Sequence, residues 1–165
     1  MLRLKDLMDA VETTVKTRYP GEPVFVDYLP KDFKRPSFAL ECQKNETTDV
    51  NPVLVQRSVT VLLTCFVEMN AYYDSSREEL NRRLDRICTQ FAQGFLPVGK
   101  RKIKVQANRG KGAPDFAEAS LVFTWTDQRR DEYDPNDPAG PIPRMEDFAV
   151  NGTVIVGGEA EESTR

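Results

Sequence analysis

The chain has 165 residues, of which 39% are hydrophobic and 30% charged, with a formal net charge of -3. That length suits one ordinary domain, able to bury roughly 70% of the surface its unfolded chain exposes. The balance belongs to a soluble globular protein rather than a collagen-like, membrane or wholly disordered one, and a charge this close to neutral rules out a global appeal to basic attraction.

Arg3, Lys5, Asp6 and Asp9 interrupt the first ten residues, so no secretory h-region forms there. No later stretch approaches the ~20 apolar residues of a membrane span. The chain is expected to be cytoplasmic at synthesis, with no membrane partner. Cys42, Cys65 and Cys88 are odd in number, widely spaced and set in apolar patterns, which suits core thiols. With no histidine in the chain, a structural metal is not expected. The sequons at Asn45 and Asn151 would matter only in a secreted protein.

Leu4, Leu7, Met8, Val11 and Val15 recur at helical spacing, predicting a helix over residues 2–18 that packs through one stripe. Tyr19-Pro20-Gly21 stops it, because Pro20 disfavours helical geometry at Tyr19 and cannot donate a backbone hydrogen bond. Val24 to Leu29 has strand character. After Pro36, Phe38, Leu40 and Cys42 alternate with Ser37, Ala39 and Glu41 in a second strand. Residues 44–51 form a polar interval. The strongest strand runs from Val53 to Val67, and because its second face still carries Leu62 and Phe66 it is expected to be central, with partial cover on both sides.

Ser75 precedes Glu78 by three residues, a capping-box spacing that predicts the start of a second helix. Its apolar stripe is Leu80, Leu84, Ile87, Cys88, Phe91 and Phe95, with Gly94, Pro97 and Gly99 at its end. Arg77, Arg82, Arg83 and Arg86 mix with Glu78, Glu79 and Asp85 on its flanks, the pattern of a solvated face with helical ion pairs. Two further strands, Lys102 to Asn108 and Phe116 to Thr126, are expected to pair across Arg109-Gly110-Lys111-Gly112-Ala113-Pro114. The core domain therefore spans residues 1–127.

From Asp127 the composition shifts to a polar run with Pro135, Pro138, Pro141 and Pro143, read as a linker or arm over 128–165. Within it, Phe148 to Val156 resembles a small hairpin turning at Asn151-Gly152. Two strands alone are marginal, so Phe148, Val150, Val154 and Val156 are candidates for contact with the domain or with a neighbouring subunit. The acidic end from Glu159 is expected to be disordered.

The missing histidine removes Ser-His-Asp and Cys-His schemes, and the acidic pairs Glu78-Glu79, Asp131-Glu132 and Glu161-Glu162 fall at a helix start, in the arm and in the tail. No enzyme, catalytic residue or cofactor is expected. Arg109-Gly110-Lys111-Gly112 lacks the phosphate-loop spacing and leads into a strand. A cationic cluster remains: Lys100, Arg101, Lys102, Lys104, Arg109 and Lys111, with no acid among them. Lys102 and Lys104 share one strand face while Ile103 and Val105 share the other, which makes a surface stripe. Nucleic-acid contact is one reading of it, and a sheet edge or subunit interface, favoured by the lack of aromatic platforms within the stripe, is the other.

Taken together, the leading helix, Tyr19-Pro20-Gly21, Phe33-Lys34-Arg35-Pro36-Ser37-Phe38 entering a strand, the long strand to Val67, the Ser75-capped helix and two closing strands through Trp125 resemble a tail terminator protein of long-tailed bacteriophages and prophages, over residues 1 to about 127. The resemblance implies an α+β fold, with a mixed, mainly antiparallel sheet of four to five strands packed with two helices. It also implies a homo-oligomeric ring of six copies that caps the tail tube, stops its polymerisation and meets neck or head-tail connector proteins, with non-specific passage of DNA through the lumen. Such a protein would act in the bacterial cytoplasm during assembly and at the tail-neck junction of the virion. The arm after residue 127 departs from that pattern. Another head-tail connector, or a nucleic-acid-binding module using Lys100 to Lys111, remains the alternative.

Overall fold

The computed structural model describes residues 2–72 and 74–129, together with the backbone of 147–150 and 153–156. The chain divides into two units, Met1–Arg129 and Arg130–Arg165.

Helix α1 (Leu4–Arg18) buries Leu7, Met8, Val11 and Val15, the predicted stripe, and Asp6 accepts the Arg3 N–H at 3.3 Å in its first turn. Tyr19 closes it, and Gly21 follows at a φ of 87°, a conformation that favours glycine. Strands β1 (Val24–Val26), β2 (Ser37–Asp49) and β3 (Leu54–Phe66) come next, then helix α2 (Arg77–Phe91) and strands β4 (Phe95–Val98), β5 (Arg101–Gly112) and β6 (Phe116–Gln128). They form one six-stranded sheet in the order β1-β2-β3-β6-β5-β4. The β1–β2 pair is parallel and every other neighbouring pair is antiparallel. The fold is thus α+β with a mixed, mainly antiparallel sheet and two helices, its sixth strand being the short edge strand β4.

Both helices cover the same face of the sheet. Helix α1 packs against β1 and β4, the two outermost strands, so the sheet curls about it, while α2 lies over β3, β5 and β6. Between them sits the core: Phe38, Leu40, Val59, Val61, Leu63, Leu121 and Phe123 are at most 1% exposed. Strand β3 is central, as expected, and among the described residues its second face is closed only at one end. There Phe66 is buried by the segment before β2, with the Phe33 ring at 4.6 Å and the Arg35 guanidinium 5.0 Å from both ring centroids. Arg35 is fixed in turn by the Asp115 carbonyl at 2.9 Å.

Several local expectations change. The α2 cap is Ser76, whose hydroxyl accepts the Glu79 N–H at 3.4 Å, one residue beyond the Ser75–Glu78 pair; Ser75 instead bridges Met69 and donates its N–H to the Pro114 carbonyl. The helix stops at Phe91, so Phe95 leaves the apolar stripe. Gly94, at a φ of 85°, turns the chain into β4, where Phe95 is 59% exposed. The polar interval 44–51 is largely strand: β2 continues to Asp49 because β3 supplies hydrogen-bond partners through Val55, after a register shift between Cys42 and Lys44. Strand β5 likewise runs through Arg109 and Gly110 to Gly112, shortening the expected connection.

Arg83 is not on a solvated flank. It is 9% exposed, gives two 2.7 Å hydrogen bonds to the Glu22 carboxylate, and stacks 5.0 Å from the Tyr19 ring centroid. This pair ties α2 to the stop of α1, and the Glu22 hydrogen bonds raise the Arg83 pKa further. The cysteines are free thiols, Cys65 buried and Cys42 and Cys88 half-buried. Burial pushes Cys65 up to about 12, despite the Arg83 guanidinium nearby.

In the second unit, β7 (Asp147–Val150) pairs antiparallel with β8 (Thr153–Val156), the hairpin read from the sequence. The proline-rich stretch, the Asn151-Gly152 turn and the acidic end lie outside the described residues.

Candidate interface on the open face of the sheet

Strict alternation in β3 and β6 sends odd-numbered residues to the helices and even-numbered ones to the other side. Among the described residues, no helix covers that second side. Its centre is Ser58, Thr60 and Leu62 of β3 beside Ser120, Val122 and Thr124 of β6, all half-buried and none charged, while half-buried Glu118 stands opposite Thr64 towards one end. Registers carry the surface outward in rows. Phe95, Lys104, Thr124, Ser58 and Glu46 make one row across five strands, and Asn108, Ser120, Leu62 and Glu41 make another across four. The first carries Lys104 at the β5 end and Glu46, itself paired with Lys44 at 3.6 Å, at the β2 end. At a strand spacing of about 4.8 Å Lys104 and Glu46, three strand steps apart, stand roughly 14 Å from each other along the sheet. That is beyond the ~8 Å screening length at physiological salt, so they do not quench each other within one molecule.

The cationic cluster of the sequence is split by the pleat. Lys102 and Lys104 are exposed on the open side, alternating with buried Ile103 and Val105. Arg101 and Arg109 fall on the helix side and are spent there. Arg101 reaches the Asp127 carboxylate at 2.8 Å, and Arg109 reaches Asp85 at 3.0 Å and also Asn81. Lys100 sits in the turn before β5, and Lys111 within the register shift between Arg109 and Gly112, just before pairing with β6 resumes at Gly112 and Ala117. Among the described residues none of these four lysines pairs with a carboxylate. Of the six cations, Lys102 and Lys104 therefore form the exposed pair on the open face, and the two arginines are structural.

Asp127 anchors this corner. It is 3% exposed and accepts the Leu2 N–H at 3.1 Å, Arg101 at 2.8 Å and the Trp125 indole N–H at 3.3 Å. Burial alone would raise its carboxyl pKa, but these donors outweigh burial and hold it below the usual carboxylate range.

Phe95 is the feature that sequence reasoning missed. Opposite Lys104, it lines a surface groove with Lys102, Lys104, Thr124 and Thr126. The stripe thus has an aromatic ring that its own sequence segment lacks, and the signal for it was Gly94, which turns the chain between the end of α2 at Phe91 and Phe95. Phe148, Val150, Val154 and Val156 belong to the separate hairpin, where Phe148 pairs with Ile155 and Val150 with Thr153, whereas Val154 and Val156 pair with Ala149 and Asp147. Their side chains lie outside the described residues.

The sheet also keeps exposed edges. Strand β1 covers only Phe38 to Leu40 of β2, and β4 only Arg101 to Lys104 of β5, so both long strands extend past their short outer neighbours. Among the described residues, no group of His, Cys, Asp and Glu side chains is placed to hold a metal.

No family model matches the chain, and no curated protein matches it. Among solved structures, a chain whose name describes no function aligns at 11% identity and a TM-score of 0.42, covering 79% of this chain and 98% of that one, a likeness that assigns neither family nor function.

Proposed function

We propose that the protein is a structural component of a bacteriophage or prophage tail, a tail terminator that assembles as a ring, caps the tail tube and joins it to the neck. The observation that carries this reading is the open sheet face: uncharged at its centre, cationic along the β5 margin, mixed in charge along the β2 margin where Glu41, Lys44 and Glu46 stand, with strand edges exposed at both sides. A surface of that kind favours heterologous contact, in which the cationic margin of one copy meets a different, acidic surface of the next and the rotation closes a ring. The element order from α1 through Trp125 supports the same reading by its resemblance to tail terminators. The activity needs no covalent chemistry, only complementary surfaces. The test is the solution mass by light scattering across concentration, followed by electron microscopy with and without tail tubes. Rings of about six subunits, or rings on tube ends alone, are the expected result; a persistent monomer that ignores tubes ends the proposal.

One observation favours a second reading. Phe95 beside Lys102 and Lys104 joins an aromatic face to cations, the combination that single-stranded nucleic acid uses. On that reading binding falls steeply with salt and Phe95→Ala weakens it.

A further inference from the structure

The charge of the chain is divided between its two units. Residues 1–129 carry a net charge of +3, while residues 130–165, with three basic and nine acidic side chains, carry -6. An unpaired cationic surface described on the first unit is the margin of Lys102 and Lys104 with exposed Phe95 between β4 and β5. The second unit combines those acids with an apolar strand pair, Phe148 to Val150 and Thr153 to Val156. A partner for the margin must be acidic and must offer apolar surface to Phe95, and the C-terminal segment meets both requirements.

We infer that the C-terminal segment 130–165 of one copy docks on the Phe95–Lys102–Lys104 margin of a second copy. The inference rests on the reading that copies associate head to tail, and it names the surfaces that do so. Each copy carries one acidic arm and one cationic margin, so the contact is heterologous and propagates from copy to copy until it closes. Lys102 and Lys104 project from a strand held by Ile103 and Val105 in the core, so the cations are presented by a rigid element rather than by a loop. Because charge supplies the selectivity, association weakens as salt rises.

The test uses two full-length charge-reversed variants. One is Lys102→Glu with Lys104→Glu, and the other is Glu159→Lys with Glu161→Lys and Glu162→Lys. Light scattering across concentration is expected to show each variant dissociating at about tenfold higher concentration than the parent. Mixing the two is expected to restore association, since the intact arm of the first meets the intact margin of the second and the reversed arm meets the reversed margin. Urea midpoints equal to the parent's show that both variants remain folded. Association unchanged in either variant, a mixture that stays dissociated, or a lysine variant that loses only single-stranded DNA binding overturns the inference. A protein whose copies associate through the arm but ignore tail tubes keeps this contact and loses the terminator reading. One whose two variants both cap tubes as the parent does loses this contact alone.

Discussion

On the helix-covered side of β3 and β6, Val59, Val61, Leu63, Ala119, Leu121 and Phe123 are at most 1% exposed, and each is apolar. One residue along the same strands, Ser58, Thr60, Leu62, Ser120, Val122 and Thr124 stay half-buried and are mostly small and hydroxylated. The two faces share a backbone, a twist and a register, so the difference lies wholly in the side chains. The covered face is committed to folding. The open face retains β-branched packing that favours strands, yet exposes neither a large apolar patch nor a block of like charge at its centre, a composition suited to contact between chains.

Substitutions at adjacent positions separate the two faces most sharply. Phe123→Ala opens a cavity where the surrounding helices cannot fully collapse and is expected to cost about 3–5 kcal/mol. Val122→Ala, its neighbour on the open side, is expected to cost about 0.5–1 kcal/mol. Urea denaturation of the two variants measures the contrast, and equal losses would mean that the open face is closed in the isolated chain.

Next in size is the pair that locks the covered side. Glu22→Gln leaves the Arg83 guanidinium buried beside Tyr19 and Phe38 with only the more distant Glu79 carboxylate at 3.4 Å. Breaking one half of a buried pair in this way is expected to cost about 2–3 kcal/mol. Calorimetry that finds the variant as stable as the parent would make this pair dispensable to the fold.

Asp127 yields a smaller loss with a pH signature. Its folded carboxyl is held below the ordinary value of 3.8, so the stabilisation is fully present above that value and is lost as pH falls through the lower, folded one. Asp127→Asn is expected to lose about 1.5–2 kcal/mol at pH 7. The gap between variant and parent should hold down to about pH 5 and narrow below about pH 4. A gap that stays constant through that range would mean the carboxylate's charge contributes nothing.

The same contrast explains what was legible in the sequence. Alternation exposed β3 and β6, and helical spacing exposed the stripe of α1, because in those segments burial on one side leaves a period in the residue types. The second half of β2 has no such period: Lys44 to Asp49 are all exposed, and they are strand because β3 pairs with them. Strand β4 is four residues long and contains Pro97, tolerable only because an edge strand can spare a donor. Arg83 reads as a solvated helix charge, since nothing local reveals that Glu22, 61 positions earlier, is brought against it. For the candidate interface, the facing of Lys102 and Lys104 was readable from period two. The diversion of Arg101 and Arg109 to Asp127 and Asp85 was not, because it depends on which elements the fold brings to the two ends of β5.

The smallest expected effect on stability falls at the margin of the open face. Lys102 and Lys104 are exposed and pair with no described carboxylate, so Lys102→Glu with Lys104→Glu removes no interaction within the described fold, and the urea midpoint should move by less than about 0.5 kcal/mol in equivalent free energy. Arg101→Glu, the residue before them, sits on the other side of the same strand and would set a carboxylate against buried Asp127, with a visible loss of stability. Two charge reversals at adjacent residues thus distinguish a surface held in reserve for another molecule from one already consumed by folding. Equal stability losses from both would place Lys102 and Lys104 among the structural cations and leave the open face without its cationic margin.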